Sequence, residues 1–203
     1  MTTDPWLLEL ASSPWLYPLV FALVVGDAFL VVLPSETVVV ALGALAGATG
    51  TPWLIVLVPI AAVGATTGDL LCFLIGRRVG LDRWEWQRRG RIAAALGRVQ
   101  RTIEHRTAVL VFTARYIPFA RIAVNLTAGA SGIRLARFVP LSAAAGLGWA
   151  IYNVAIGASF GAMLRDQPIL AIVLSVAVAI TLGVAVDVVI GRVGSRGARR
   201  HES

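Results

Sequence analysis

Lysine is absent from this 203-residue sequence, and all 18 basic side chains are arginines. Charged residues make up only 14%, against roughly 25% in soluble domains. With 58% apolar residues and a mean hydropathy of +0.81, the chain lacks the polar surface needed to cover a water-soluble globule. Disorder is excluded on the same ground, because disordered chains are poor in apolar residues and rich in charge. No side-chain cation precedes Arg77, so the opening third lacks the early positive charge of a secretory signal or a transit peptide. The single cysteine, Cys72, stands in an apolar run, which argues against an intrachain disulfide or a cysteine-based metal site. No metal or cofactor is expected. What remains is an all-α integral membrane protein.

The apolar stretches differ in kind. Residues 15–33 are apolar apart from Gly26-Asp27, and 37–49 form a shorter run after Pro34-Ser35-Glu36. Residues 53–76, 138–161 and 168–190 are each long enough for a full transmembrane helix, which needs about 20 residues. Residues 108–133 are apolar but carry Arg115, Pro118, Arg121 and Asn125. Trp15 and Trp53 sit at run edges, where amphipathic aromatics favour the headgroup layer.

The one long polar segment, 77–107, holds nine arginines against Asp82, Glu85 and Glu104. Ile92, Ala95, Leu96, Val99 and Ile103 recur at helical spacing, so a basic amphipathic helix lying on anionic lipid is expected there. Such a loop beside spanning segments accounts for the pI of about 11.1 without nucleic acid. The tail, 191–203, adds four more arginines, and the positive-inside rule places both segments in the cytoplasm. Tracing back from that tail makes 108–133 start and end on the same side. It is therefore predicted to be a re-entrant hairpin with its bend near Pro118. Residues 15–50 read as the mirror image, with the bend at Pro34. Two re-entrant hairpins in an inverted repeat, three full spans and a basic interfacial helix form the expected architecture, one membrane domain over 1–203. Inverted repeats with broken helices are typical of secondary transporters. A competing reading makes 15–33 an ordinary span, so the side of the N-terminus stays open.

Charge inside the apolar runs carries the functional reading. Arg115 and Arg121 at bilayer depth would cost about 5–7 kcal/mol together unless offset. Glu36, Asp69 and Asp27 are the available anions, and pairing across the two hairpin tips would keep the set buried. In an unbroken helix Arg115 and Arg121 would lie about 600° apart, on different faces. Pro118 breaks the helix and allows their guanidinium forks to converge, as phosphate oxygens require. Glu36 and Asp69 are the candidate proton-coupling carboxylates, with Asp27 and Asn125 as secondary polar groups. The alternative is a set of ion pairs that only lock the fold. The small-residue arms 42–48 and 128–132 read as close helix packing. Gly129-Ala130-Ser131-Gly132 resembles a serine-protease string, but His105 and His201 lie outside the apolar runs, so no base accompanies it.

Three blocks, LPSETVVVALGALAGATG (33–50), GDLLCFLIGRRVG (68–80) and FTARYIPFARIAVNLTAGASGI (112–133), resemble the DedA family, bacterial relatives of the VTT-domain scramblases. A looser block runs from Phe138 through Gly146 and Trp149 to Gly161. The resemblance implies a flippase of lipid phosphates, returning undecaprenyl phosphate across the cytoplasmic membrane for envelope synthesis and coupled to protons. It implies phosphate-binding roles for Arg115 and Arg121 and acidic roles for Glu36 and Asp69. Some members carry a further acid in the first hairpin; here 37–49 has none. A passive phospholipid scramblase, a proton-coupled small-ion transporter and a non-transporting scaffold are the alternatives, and a homo-oligomer is compatible with each. An enzyme is not expected.

Overall fold

The computed structural model of the protein describes residues 9, 11–30, 33–80, 107, 108, 110–112, 118–167, 169–179 and 181. Every regular element among them is helical: α1 (Leu16–Asp27), α2 (Ser35–Thr49), α3 (Leu54–Val79), α4 (Pro118–Ala130), α5 (Leu135–Met163) and α6 (Ile169–Ala179). Only α3 and α5 are long and apolar enough to cross a bilayer among the described residues.

Local chemistry sets the boundaries. Pro34 caps α2, and Pro118 opens α4, the position where a missing N–H costs nothing. Helix α2 stops at Gly50 and α3 at Gly80, both with positive φ that a side chain would resist. Because arginine is a good helix former, α3 runs through Arg77 and Arg78 to Val79. The polar segment expected from 77 therefore begins as helix, and its stretch 81–106 lies outside the described residues, as do Arg115 and the tail 191–203. Of the expected third span, 168–190, α6 and residue 181 are described.

Glycine contacts fix the helix directions. A Cβ on Gly43 would meet Val154, and one on Gly47 would meet Ala158, so α2 and α5 run in parallel. Arg121 and Asn125 reach Asp69, while further on Gly76 lies on Leu126 and Gly129 on Phe73 and Arg77, so α3 and α4 are parallel. Gly146 sits against Ala62 and Thr66, while Ser142 reaches Asp69; α3 and α5 are thus antiparallel. Helix α1 follows α3, with Phe21 and Val24 beside Gly64 and Val25 and Ala28 beside Gly68. Opposed directions make α1 and α2 a helical hairpin. At 1.5 Å per residue its tip stands about 21 Å along the roughly 39 Å of α3.

These contacts recur under an exchange of halves. Pro59 and Pro140, Gly76 and Gly157, and Gly80 and Gly161 are each 81 residues apart, and Leu54 and Leu135 open α3 and α5 at that same offset. Gly43 on α2 touches Val154 and Ala158; Gly129 on α4 touches Phe73 and Arg77, their counterparts 81 residues earlier. The helix pair α2–α5 is therefore packed like α4–α3. Phe73 and Phe138 stack at 4.4 Å, and their counterparts Val154 and Leu57 lie buried in the other half.

The exterior is apolar. Ile55 is 82% exposed, and Val63, Leu71, Leu147, Ile151 and Val173 also face outward. A water-soluble monomer rarely exposes so much apolar surface. Trp15 and Trp53 are exposed at one end, where the Trp53 N–H donates to the Tyr17 hydroxyl oxygen. Arg77, Arg78, Arg134 and Arg137 gather at the other end, where α3 finishes and α5 starts.

The seam between α2 and α5 has no room for a methyl group at Gly157, whereas Gly148 faces open space. Gly157→Ala should destabilise the fold by about 1–3 kcal/mol. Gly148→Ala should be neutral or slightly stabilising, since alanine favours helix over glycine. Thermal unfolding of the two variants in detergent compares them directly.

Candidate functional site

Gly68 and Asp69 occupy the middle of α3 and organise the site. A Cβ at Gly68 would stand 2.6 Å from the Ala28 Cβ, so the glycine admits the end of α1 against α3. Cys72, one turn further on the same face, donates its thiol to the Ala28 carbonyl at 3.4 Å. Asp27, the last residue of α1, is thereby held beside Asp69.

Asp69 is 1% exposed. Its Oδ1 accepts from Asn125 Nδ2 on α4 at 2.9 Å, and its Oδ2 accepts from the Ser142 hydroxyl on α5 at 2.8 Å. Arg121, one turn before Asn125, places Nε 3.7 Å from the same Oδ1. The Arg121 Nη2 donates to Asp27 Oδ2 at 3.3 Å. One guanidinium thus spans two carboxylates on different helices, with its side chain only 13% exposed. No hydrogen bond from its Nη1 occurs among the described residues. Donors of this kind, aimed in a fork, suit planar or tetrahedral oxyanions.

Four expected residues meet here: Asp27, Asp69, Arg121 and Asn125. The two named as secondary, Asp27 and Asn125, make direct contacts with the charged centre. Glu36 differs from expectation. It is half-buried at the start of α2, near enough to Asp27 to feel its charge, yet it forms no ion pair with Arg121 among the described residues. The partner at the tip of the first hairpin is Asp27, because Gly68 and Cys72 draw the end of α1 onto α3 at the level of Arg121. Arg115 lies outside the described residues. Ser142 was not singled out by the sequence; a lone hydroxyl in an apolar run carries no signal until α5 is known to pass antiparallel to α3.

A family model for the VTT domain matches residues 33–159, well over half of the chain. The chain belongs to the VTT domain family. The match contains the three DedA-like blocks and all the site residues except Asp27, which precedes it. Two proteins of Lactococcus lactis, from strains MG1363 and IL1403 and each named alkaline phosphatase-like protein, are 26% identical over 150 residues, covering 67% of this chain and 70% of theirs. Undecaprenyl phosphate transporter A of Bacillus subtilis strain 168 is 26% identical over 159 residues, 75% of this chain and 77% of that protein. No solved structure matches. With its two long apolar helices and lipid-like exterior, this VTT domain is a membrane protein.

Removing the buried carboxylate strands the groups it serves. Asp69→Ala should cost about 3–5 kcal/mol of stability, the range for breaking a buried ion pair. Ser142→Ala removes one neutral donor and should cost about 1–3 kcal/mol. Denaturant titration in detergent micelles should rank Asp69→Ala well below Ser142→Ala, with the parent protein above both.

Proposed function

We propose that this chain is a proton-coupled flippase of lipid phosphates in the cytoplasmic membrane, with undecaprenyl phosphate as its substrate. The observation that carries the reading is Arg121, buried between Asp27 and Asp69 at the middle of α3 where four helices converge. An arginine at such depth marks a functional site by default. The relative named as an undecaprenyl phosphate transporter supports the substrate class.

In this reading α1–α2 enters the bilayer from one side and returns, and 108–133 does the same from the other. The hairpin tip halfway along α3, and the exchange of contacts between α2–α5 and α4–α3, support that arrangement. The end bearing Arg77, Arg78, Arg134 and Arg137 is the cytoplasmic one, where the 77–107 segment rests on anionic lipid. Arg121 and Arg115 grip the phosphate while the polyprenyl tail remains in lipid. A phosphomonoester carries −1.5 to −2 charges near neutral pH, enough to compete with the carboxylates for a guanidinium. Asp69, with Asn125 and Ser142, keeps Arg121 in place, and Asp27 is the partner that the phosphate displaces. Glu36, beside Asp27 at the hairpin tip, takes up and releases the proton. Ser142, the hydroxyl at the centre, is fully buried and donates to Asp69, so it serves the carboxylate and offers no exposed nucleophile.

Proteoliposomes carrying labelled undecaprenyl phosphate test the scheme. Arg121→Ala and Arg121→Lys should each lower transport at least tenfold, since lysine offers a point charge and no fork. Glu36→Gln should abolish the response to an imposed pH gradient. Full transport by both Arg121→Ala and Glu36→Gln would refute the scheme, and indifference to headgroup and gradient would mark a passive scramblase.

A further inference from the structure

Asn153 on α5 is fully buried, and its Oδ1 is a buried side-chain atom with no hydrogen-bond partner among the described residues. Its Nδ2 donates to the Trp149 carbonyl at 3.0 Å, one turn back on its own helix, which fixes the amide and leaves the oxygen facing away. Native proteins keep few such atoms, and each calls for a reason.

The α2–α5 seam shows which residue of α2 stands level with Asn153. Gly157 lies on Val40 and Ala44, and Gly161, one turn on, lies on Ala44 and Ala48. The helices are parallel, so one turn back from Gly157 is Asn153 and one turn back from Val40 is Glu36. Both residues belong to the facing stripes of the two helices, because positions four apart share a face. On α5 the stripe changes there from glycine to the longer Asn153, and on α2 it ends in Glu36. The surrounding groups are few. Asp27 on α1 acts on Glu36 by its charge. Asp69 on α3 and Arg121 on α4 are bound to each other, and α5 has no charged residue between Phe138 and Met163. Glu36 is the sole ionisable residue of α2.

We infer that Asn153 Oδ1 is the acceptor for the protonated carboxyl of Glu36, which makes Asn153 a positioning residue of the proton step. A neutral carboxylic acid has one O–H to give, and an amide oxygen can take it. Once the proton leaves to water, carboxylate and amide oxygen repel, the side chain of Glu36 is released from α5, and Oδ1 stands unmet. Asn153 thereby distinguishes the two proton states of the hairpin tip. The inference rests on the transport role proposed for Glu36 but predicts a contact that can be read without transport.

Infrared difference spectra of the full chain in lipid nanodiscs, taken across a pH titration with Glu36→Gln to assign the band, supply that reading. The acid C=O band of Glu36 should lie at the lower frequency of a hydrogen-bonded carboxyl and move up in Asn153→Leu. The same variant should unfold no earlier than the parent, since it loses an unmet amide, and gradient-driven transport of undecaprenyl phosphate should fall about fivefold, the worth of one ordinary hydrogen bond. Asn153→Thr, which keeps an acceptor oxygen, should restore most of it. Should Asn153→Leu fail to fold, the parent band alone decides. A free-acid band in the parent, no acid band at any pH, or a band unmoved in Asn153→Leu would each overturn the inference. Normal gradient-driven transport by Glu36→Gln would instead remove the proposed role of Glu36 while the band still reports the contact.

Discussion

An arginine that cannot reach water must take its counter-charges with it, and that requirement organises the centre of this protein. Arg121 can be buried only if carboxylates meet it, and they come from two other helices, Asp27 on α1 and Asp69 on α3. Asp69 in turn is buried only because Asn125 and Ser142 supply donors from α4 and α5. Each desolvated group is thus the condition for burying the next. Four helices are brought to one point by polar satisfaction, while glycine seams and apolar clusters make other helix contacts among the described residues. Where lipid offers no hydrophobic drive between helices, such polar contacts and close backbone packing are what hold them together.

The packing scaffold is duplicated but the charge is not. Counterparts at the 81-residue offset put Ala150 where Asp69 stands and Ala61 where Ser142 stands, and both alanines are fully buried. On the hairpin arms, where Gly43 matches Gly129 through their shared contacts, the counterpart of Asn125 is Val39. Glycine seams and aromatic or aliphatic fillers serve both halves alike, because they answer only to helix geometry. The polar centre occupies one half, and the first hairpin contributes to it through the end of α1. Under the proposed function, a single site between two similar halves is the arrangement that alternating access asks for.

Much of this was legible from the sequence, and the reason is that membrane helices announce themselves by length and by breakers. The runs 53–76 and 138–161 locate the ends of α3 and α5 to within three residues, and Pro34 and Pro118 stand at the starts of α2 and α4. Asp69, Arg121 and Asn125 were legible as polar residues at depths where polar residues are costly. What could not be read was which carboxylate reaches the guanidinium. Glu36 stands two residues after Pro34 and reads as a tip residue, but the choice depends on how far α1 slides along α3. Gly68 sets that slide by admitting Ala28, a contact between residues 40 apart in sequence. Ser142 and Asn153 escaped notice for a related reason: on α5 alone they are small polar residues in an apolar helix, and only the facing helix gives each a role.

The choice of arginine over lysine at position 121 fits the same physics. Arg121 presents Nε toward Asp69 and Nη2 toward Asp27, two donors on one rigid plane directed at acceptors on separate helices. A lysine ammonium is a compact, strongly hydrated point charge; it would have to shed more water to enter and could not fix two carboxylates at a set angle. The planar fork also makes exchange possible. If one carboxylate yields to a phosphate oxygen, the other still holds the guanidinium in register, so the cation is never left alone in the apolar interior. In the proposed cycle Asp69, gripped by Asn125 and Ser142, keeps the guanidinium, and Asp27, which ends a short helix and is more exposed, yields to the phosphate.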